Sequence, residues 1–89
     1  MSKASVLVVD DEASIVELVR YNLVKDGYEV RTAATGEAAL AEARRQVPDL
    51  VVLDLMLPGL DGFDVCRMLR ADPATQRVAI LMLTARGEA

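Results

Sequence analysis

Several residue types are scarce or missing in this sequence, and each absence excludes a class of protein. Histidine and tryptophan do not occur, and the aromatic residues are two tyrosines and one phenylalanine. These are too few to build a platform that stacks nucleobases or a flat cofactor. The single cysteine, Cys66, has no partner for an internal disulfide, which favours a reducing, cytoplasmic setting. Apolar runs stay far below the roughly 18 residues of a membrane helix, so we predict no membrane span.

Basic residues are also outnumbered. Ten Lys and Arg stand against fourteen Asp and Glu, which gives a formal net charge of -4 at pH 7. Binding of nucleic acid needs a basic field along the phosphate backbone, so we do not expect this chain to bind DNA or RNA by itself. Its 89 residues, of which 53% are hydrophobic, suffice for one small soluble domain and not for two.

Four short apolar segments predict β-strands. Three of them, Ser5–Val9, Leu50–Leu53 and Val78–Leu83, are apolar at successive positions, which is typical of strands covered on both faces. The fourth, Tyr28–Ala33, alternates apolar and polar residues instead. Such alternation predicts a less covered strand at the edge of the sheet.

Helical patterns fill the three intervals between these strands, so the sequence predicts an α/β fold with a parallel sheet and right-handed crossovers. The predicted limits are Ala13–Lys25 followed by the stop Asp26-Gly27, then Thr35 as N-cap up to Pro48, and Asp61 or Gly62 up to Asp72-Pro73. The apolar positions are Ile15, Leu18, Val19 and Leu23 in the first helix, Ala39, Leu40, Ala43 and Val47 in the second, and Val65, Met68 and Leu69 in the third.

Acidic residues follow two of the predicted strands. Asp10 and Asp11 come directly after the first strand, and Asp54 comes directly after the third. The carboxyl ends of parallel strands meet at one edge of the sheet, so these carboxylates would converge if the two strands are neighbours. Their mutual repulsion raises their affinity for protons unless a cation neutralises them. A donor set made only of oxygen favours Mg²⁺, with Mn²⁺ as the substitute.

A purely structural role is also open to some of these residues. Asp10 or Asp11 could cap the first helix and interact with its dipole. Asp54 is different, because it interrupts an apolar run and an unpaired buried carboxylate is costly. Asp54 therefore needs a function or a partner.

Three motifs together resemble the receiver domain of bacterial two-component response regulators. They are Val8-Val9-Asp10-Asp11-Glu12, Asp54 with the following loop Met56-Leu57-Pro58-Gly59, and Leu83-Thr84-Ala85-Arg86. The last motif and its surroundings also resemble the winged-helix transcription-factor subfamily, such as the phosphate-regulon regulators. The resemblance implies a flavodoxin-like (CheY-like) three-layer fold with strand order 2-1-3-4. It also implies that residues 1–89 form the N-terminal three quarters of a receiver domain.

The same resemblance implies a phosphoacceptor in two-component signal transduction. Asp54 would accept a phosphoryl group from a sensor histidine kinase or from a small donor such as acetyl phosphate. Asp11, Asp54 and the backbone carbonyl of Met56 would bind Mg²⁺ directly. Asp10 would act through a metal-bound water, and Thr84 would be the switch hydroxyl that changes a surface for partners. We expect no enzyme activity beyond self-phosphorylation and self-dephosphorylation.

The sequence departs from the family pattern at its C-terminal end. The fifth strand, the last two helices and the family's phosphate-binding lysine have no counterpart in these 89 residues. The fourth strand is then expected to expose an apolar edge, through which the chain would self-associate. An alternative function is therefore a truncated or engineered fragment that serves as an interaction or self-assembly module without phosphorylation. An aspartate-nucleophile phosphatase is disfavoured, because Met56 stands where that class has a second aspartate.

Overall fold

Four β-strands alternate with three α-helices in this computed structural model, which describes residues 3–83. The strands are β1 (Ser5–Val9), β2 (Glu29–Ala33), β3 (Leu50–Asp54) and β4 (Ala79–Leu83), and the helices are α1 (Ala13–Lys25), α2 (Gly36–Arg45) and α3 (Gly62–Ala71). All neighbouring strands are parallel, in the order β2-β1-β3-β4. The predicted α/β fold and strand order are confirmed. Within the described residues, no helix has the length and apolarity needed to cross a membrane.

Local signals in the sequence set the helix boundaries. α1 ends before Gly27, whose φ of 97° lies in the left-handed region that glycine adopts without steric cost. Thr35 caps α2, because its side chain accepts the N–H of Ala38 at 3.1 Å. Asp61 and Asp64 form a reciprocal capping box at the start of α3. These three predicted boundaries are confirmed.

The helices cover the two faces of the sheet unequally. α2 and α3 enclose the larger core on one face, and α1 packs against β1 and β2 on the other. The buried residues of the larger core are Leu7, Val9, Ala33, Ala39, Leu40, Ala43, Val51, Leu53, Leu57, Val65, Leu69 and Val78. The smaller core consists of Val6, Val8 and Val52, with Val19, Leu23, Val30, Leu50 and Leu83 partly buried around them.

Four residues that the helical patterns predict to face inward are exposed instead: Ile15, Leu18, Val47 and Met68. Leu18 and Met68 each precede an inward residue, so they point about 100° away from the packed stripe. Val47 lies beyond the end of α2, where helical spacing no longer applies. Ile15 lies on the same face of α1 as Val19 and Leu23, but one turn nearer the N-terminus, beyond the residues that pack on the core. The patterns thus locate the helices correctly and overestimate their buried faces.

The two edges of the sheet differ in chemistry. β2 carries Arg31, whose guanidinium donates to Glu42 Oε2 at 2.7 Å and to the carbonyl oxygen of Gln46 at 2.6 Å. This arginine ties the edge strand to the end of α2. β4 contains no charged residue, and Leu81 within it is 52% exposed. Within the described residues, the predicted apolar edge at β4 is confirmed.

Glu42→Gln is expected to loosen the attachment of β2 to α2. Hydrogen bonds from Arg45 and then Arg31 lower the pKa of Glu42 from 4.5 to about 2. A carboxylate with a lowered pKa stabilises the fold at pH values above 4.5, and this contribution is lost as the pH falls towards 2. Urea unfolding at a series of pH values should show a gap between the wild type and the variant that closes over this range.

Glu17→Gln is the control for that measurement. It removes an exposed ion pair with Arg20 inside α1 and leaves the contact between elements intact. A smaller loss of stability is expected, because exposed pairs within a helix contribute little. Equal losses in Glu42→Gln and Glu17→Gln would contradict the role assigned to Arg31 and Glu42.

Self-association through β4 stays a prediction. In sedimentation velocity the wild type should show a sedimentation coefficient that rises with concentration, and Leu81→Lys should reduce the rise, because a lysine at an exposed strand edge disfavours pairing with a second chain. Leu18→Lys makes the same change at a 60% exposed position on α1 and should leave the rise unchanged. A wild type that stays monomeric at every concentration would refute the prediction.

Candidate metal centre

Three carboxylates meet at the carboxyl ends of β1 and β3. Val9 of β1 is paired with Leu53 of β3, so the residues that follow them, Asp10 and Asp54, are brought side by side. Together with Asp11, each of these residues offers a carboxylate oxygen, and the three oxygens all lie within 4.8 Å of one another. The predicted convergence of the three side chains is confirmed.

Asp10 is held by the backbone on both sides. Its N–H donates to the carbonyl oxygen of Ala33 in β2 at 3.2 Å, and its Oδ1 accepts the N–H of Glu12 at 2.9 Å. Glu12, in an extended conformation, is the N-cap residue of α1, and no side chain caps this helix. The alternative that Asp10 or Asp11 serves as the cap of α1 is therefore wrong.

Asp54 is the last residue of β3 and is only 8% exposed. Its Oδ1 accepts the N–H of Met56 at 3.0 Å, so the loop that follows the strand fixes the carboxylate. The Met56 side chain points outward and is 60% exposed. Met56 thus contacts Asp54 through its backbone N–H and not through its side chain. Coordination through its carbonyl oxygen stays a prediction.

The loop from Leu55 to Asp61 returns tightly to the end of β3. The N–H of Gly62 donates to the carbonyl oxygen of Leu55 at 3.1 Å. A Cβ at Gly62 would lie 2.6 Å from the carbonyl oxygen of Asp54 and 2.8 Å from Leu55 Cα. Since both neighbours are backbone atoms, only glycine fits at the first position of α3.

Among residues 3–83, no ion pair compensates the negative charge of the carboxylate cluster. Burial raises the pKa of the Asp10 carboxyl, the hydrogen bond from the Glu12 N–H opposes this shift, and the charges of Asp54 and Asp11 raise the pKa further. The ion pairs found among residues 3–83 join other carboxylates to arginines and leave these three without a basic partner. A bound cation would remove this repulsion.

Comparison with known proteins identifies the family. Residues 6–89 match the response regulator receiver domain. The chain belongs to the response regulator receiver family. The family prediction made from the three motifs is confirmed.

Two curated relatives are transcriptional regulators by name. The chain is 55% identical over 83 residues to the alkaline phosphatase synthesis transcriptional regulatory protein PhoP of Bacillus subtilis, covering 93% of this chain and 34% of that protein. It is 48% identical over 83 residues to the phosphate regulon transcriptional regulatory protein PhoB of Rhizobium meliloti, covering 93% and 37%. The similarity to the transcription-factor subfamily is confirmed. The chain spans about a third of the length of these relatives.

Solved structures agree with the fold. The chemotaxis protein CheY4 of Vibrio cholerae is 38% identical and superposes with a TM-score of 0.91, covering 98% of this chain and 72% of that chain. The N-terminal domain of a response regulator receiver protein from Methanoculleus marisnigri is 39% identical, with a TM-score of 0.92 and coverages of 99% and 72%. The predicted CheY-like fold is confirmed. None of these similarities supports the alternative of a self-assembly module that works without phosphorylation.

The donor set of this receiver fits a hard divalent cation. Asp10 and Asp54 are buried, Asp11 is exposed, and all three offer carboxylate oxygens. No histidine occurs in the chain. Oxygen donors in this number, with room left for water, suit Mg²⁺ and also accept Mn²⁺. Receivers as a family bind Mg²⁺ at such an aspartate cluster, so the predicted cofactor agrees with the site.

A cleft of about 240 Å³ lies beside the cluster and was not predicted from the sequence. Its lining includes Asp10 and Asp11, the last two residues of β2, Thr32 and Ala33, and the residue that follows them, Ala34. The residues at the end of β2 have small side chains without ionisable groups, so they form no recognisable sequence motif. The position of the cleft could have been predicted from the rule that the carboxyl ends of parallel strands lie at one edge of the sheet. The predicted switch residue, Thr84, lies outside the described residues.

Asp10→Asn is expected to stabilise the metal-free protein by on the order of 1 kcal/mol, because it relieves the repulsion and keeps the acceptor for the Glu12 N–H. Mg²⁺ at about 100 times its Kd should stabilise the wild type by about 2.7 kcal/mol. The variant should gain clearly less. Thermal unfolding with EDTA and with Mg²⁺ measures both effects.

Glu29→Gln provides the matched control, since it removes one negative charge at an exposed position on β2, away from the cluster. This variant should respond to Mg²⁺ like the wild type. An equal gain from Mg²⁺ in all three proteins would show that the ion acts elsewhere.

Proposed function

We propose that this chain is a phosphoacceptor receiver module of two-component signal transduction, with Asp54 as the residue that takes the phosphoryl group. The observation that carries the proposal is the cluster of Asp10, Asp11 and Asp54 at the end of two adjacent strands. Asp10 and Asp54 are buried, and no ion pair among residues 3–83 joins the three carboxylates to a basic side chain. Family membership over residues 6–89 supports it.

The carboxylate of Asp54 is set up as a nucleophile. Its Oδ1 is held by the Met56 N–H at 3.0 Å, and no donor within residues 3–83 binds Oδ2, which stays available to attack. In the proposed step an oxygen of Asp54 forms a bond to the phosphorus of the donor. The P–N bond of a phosphohistidine or the P–O bond of acetyl phosphate breaks, and imidazole or acetate leaves with that electron pair. The product is an acyl phosphate on Asp54.

The acidic residues of the cluster would hold the cation that neutralises negative charge during this transfer. We assign Asp11, Asp54 and the backbone carbonyl of Met56 as direct ligands of Mg²⁺, and Asp10 as a ligand through water. The bound ion would neutralise negative charge on the carboxylates and on the phosphoryl oxygens. The protein's own contribution is to hold the carboxylates in place before the donor arrives, and positioning is the main requirement of phosphoryl transfer.

The proposed donor is a sensor histidine kinase, with small acyl phosphates as substitutes. Thr84 is proposed to bind a phosphoryl oxygen and to alter a surface for partners, since phosphorylation adds about -1.5 to -2 charge and three acceptors. Apart from phosphorylating and dephosphorylating itself, the module is proposed to have no enzyme activity. A cytoplasmic location belongs to the same proposal and is supported by the free thiol of Cys66.

The domain assignment is part of the proposal as well. The chain covers 72% of the matched CheY4 chain, which supports the interpretation of residues 1–89 as the N-terminal three quarters of a receiver. The relatives are named as transcriptional regulators and are about three times as long. An output in transcription would then reside in protein segments outside these residues.

Incubation with acetyl phosphate tests the proposed function. Intact mass spectrometry should show one added phosphoryl group on the wild type with Mg²⁺ and none with EDTA. Asp54→Asn should stay unmodified, because the amide is a poor nucleophile and keeps the acceptor for the Met56 N–H. Asp26→Asn, an exposed position at the end of α1, should be modified like the wild type.

Two results would overturn the proposal. One is an adduct of equal yield on Asp54→Asn. The other is a folded wild type that takes no phosphoryl group under conditions in which a complete receiver domain is modified.

A further inference from the structure

The loop after Asp54 is held from a second side by helix α2. Gly36 is the first residue of α2 and is buried. A Cβ at this position would lie 2.8 Å from Leu60 Cβ, 2.8 Å from Val65 Cγ2 and 3.0 Å from the carbonyl oxygen of Leu60. Side chains in proteins do not approach this closely, so the absence of a side chain at Gly36 lets the loop lie against α2.

A side chain added at Gly36 would displace Leu60, and the loop has no room to move towards α3 in response. Its far end is already in close contact with β3, because a Cβ at Gly62 would lie 2.6 Å from the carbonyl oxygen of Asp54. Leu57, in the middle of the loop, is buried and 6% exposed. Leu60 itself packs against the larger core. The segment is therefore confined between α2 on one side and the end of β3 on the other.

This confined segment carries the N–H that fixes the phosphoacceptor. The Met56 N–H donates to Asp54 Oδ1 at 3.0 Å, and Met56 lies four residues before Leu60 in the same loop. A loop displaced by a few tenths of an ångström at Leu60 would carry this N–H away from the carboxylate. Gly36 has no side chain that could reach the site, so its influence passes through its close neighbours, Leu60 in the loop and Val65 in α3.

We propose that Gly36 is a positioning residue for Asp54, which acts by letting the loop from Leu55 to Asp61 close against α2. The inference rests on the proposed function, since it assigns a role towards the same carboxylate. A merely structural role of Gly36 is the alternative, in which a substitution lowers stability and leaves the geometry of the folded site unchanged.

Gly36→Ala, compared with Gly27→Ala, separates the two roles. Gly27 has a φ of 97°, and a Cβ added there would meet nothing within 4 Å, so alanine strains the backbone without touching the loop. Both variants should lose stability. At a temperature where both are folded, Gly36→Ala should bind Mg²⁺ about tenfold more weakly in calorimetric titration, the size of effect seen when the groups that orient a metal ligand are disturbed. Gly27→Ala should bind like the wild type.

A second readout reports the hydrogen bond directly and needs no metal. In ¹⁵N-labelled protein with EDTA, the Met56 amide should shift and exchange with solvent faster in Gly36→Ala, and should be unchanged in Gly27→Ala. Equal Mg²⁺ affinities and unchanged Met56 amides in both variants would overturn the positioning role.

A variant without added volume covers the case in which Gly36→Ala does not fold. Leu60→Gly removes the other half of the contact and should also weaken Mg²⁺ binding, whereas Val47→Gly, at an exposed position beyond the end of α2, should not. Mg²⁺ binding by Leu60→Gly at the wild-type level would overturn the inference.

Phosphorylation by acetyl phosphate tests the proposed function separately from the role of Gly36. A wild type that takes no phosphoryl group refutes the proposed function. Full phosphorylation of Gly36→Ala at the wild-type rate refutes only the role of Gly36.

Discussion

Repulsion among three carboxylates at the end of the sheet is the constraint on which the rest of this structure depends. The register between β1 and β3 leaves no freedom here, because pairing of Val9 with Leu53 brings Asp10 and Asp54 together. A one-residue slip of either strand would separate them and would also exchange that strand's buried residues between the two cores. The hydrophobic cores therefore enforce an arrangement that the charges oppose, and the energy of apolar burial maintains the acidic site.

The neighbouring backbone is shaped to hold this unfavourable arrangement in one conformation. Asp10 and Asp54 each accept one N–H from the residue two positions later, so the two carboxylates are oriented by equivalent local contacts. The loop after Asp54 is then closed by Gly62 against β3 and by Gly36 against α2. Helices α2 and α3 thus serve the site as well as the core. Their first residues, both glycines, confine the loop whose Met56 N–H orients the Asp54 carboxylate.

Much of this could be predicted from the sequence, because the deciding signals are local. Apolar runs, caps and stops locate the elements, and the rule for strand ends brings Asp10, Asp11 and Asp54 together from their positions in the chain alone. The failures concern contacts between distant segments. A glycine at position 36 does not disclose that Leu60 lies against it. Periodicity likewise cannot tell which side of a helix meets the sheet, and for this reason it wrongly predicts a buried Leu18 and a buried Met68.

Helix α1 has few buried contacts with the sheet, so the two segments that carry the acidic residues differ in local stability. α1 contains no buried residue, and its contact with the sheet is made by partly buried side chains such as Val19 and Leu23. Segments with little buried apolar area open at a small fraction of the global unfolding free energy. α1 follows directly on Asp10, Asp11 and Glu12, so local opening of this helix frees Asp11 and takes the Glu12 N–H away from Asp10 Oδ1. The Asp10 backbone stays bonded to Ala33, and Asp54 stays at the end of β3. The acidic site therefore loses its exposed member and the orientation of Asp10 when one helix opens, without unfolding of the domain.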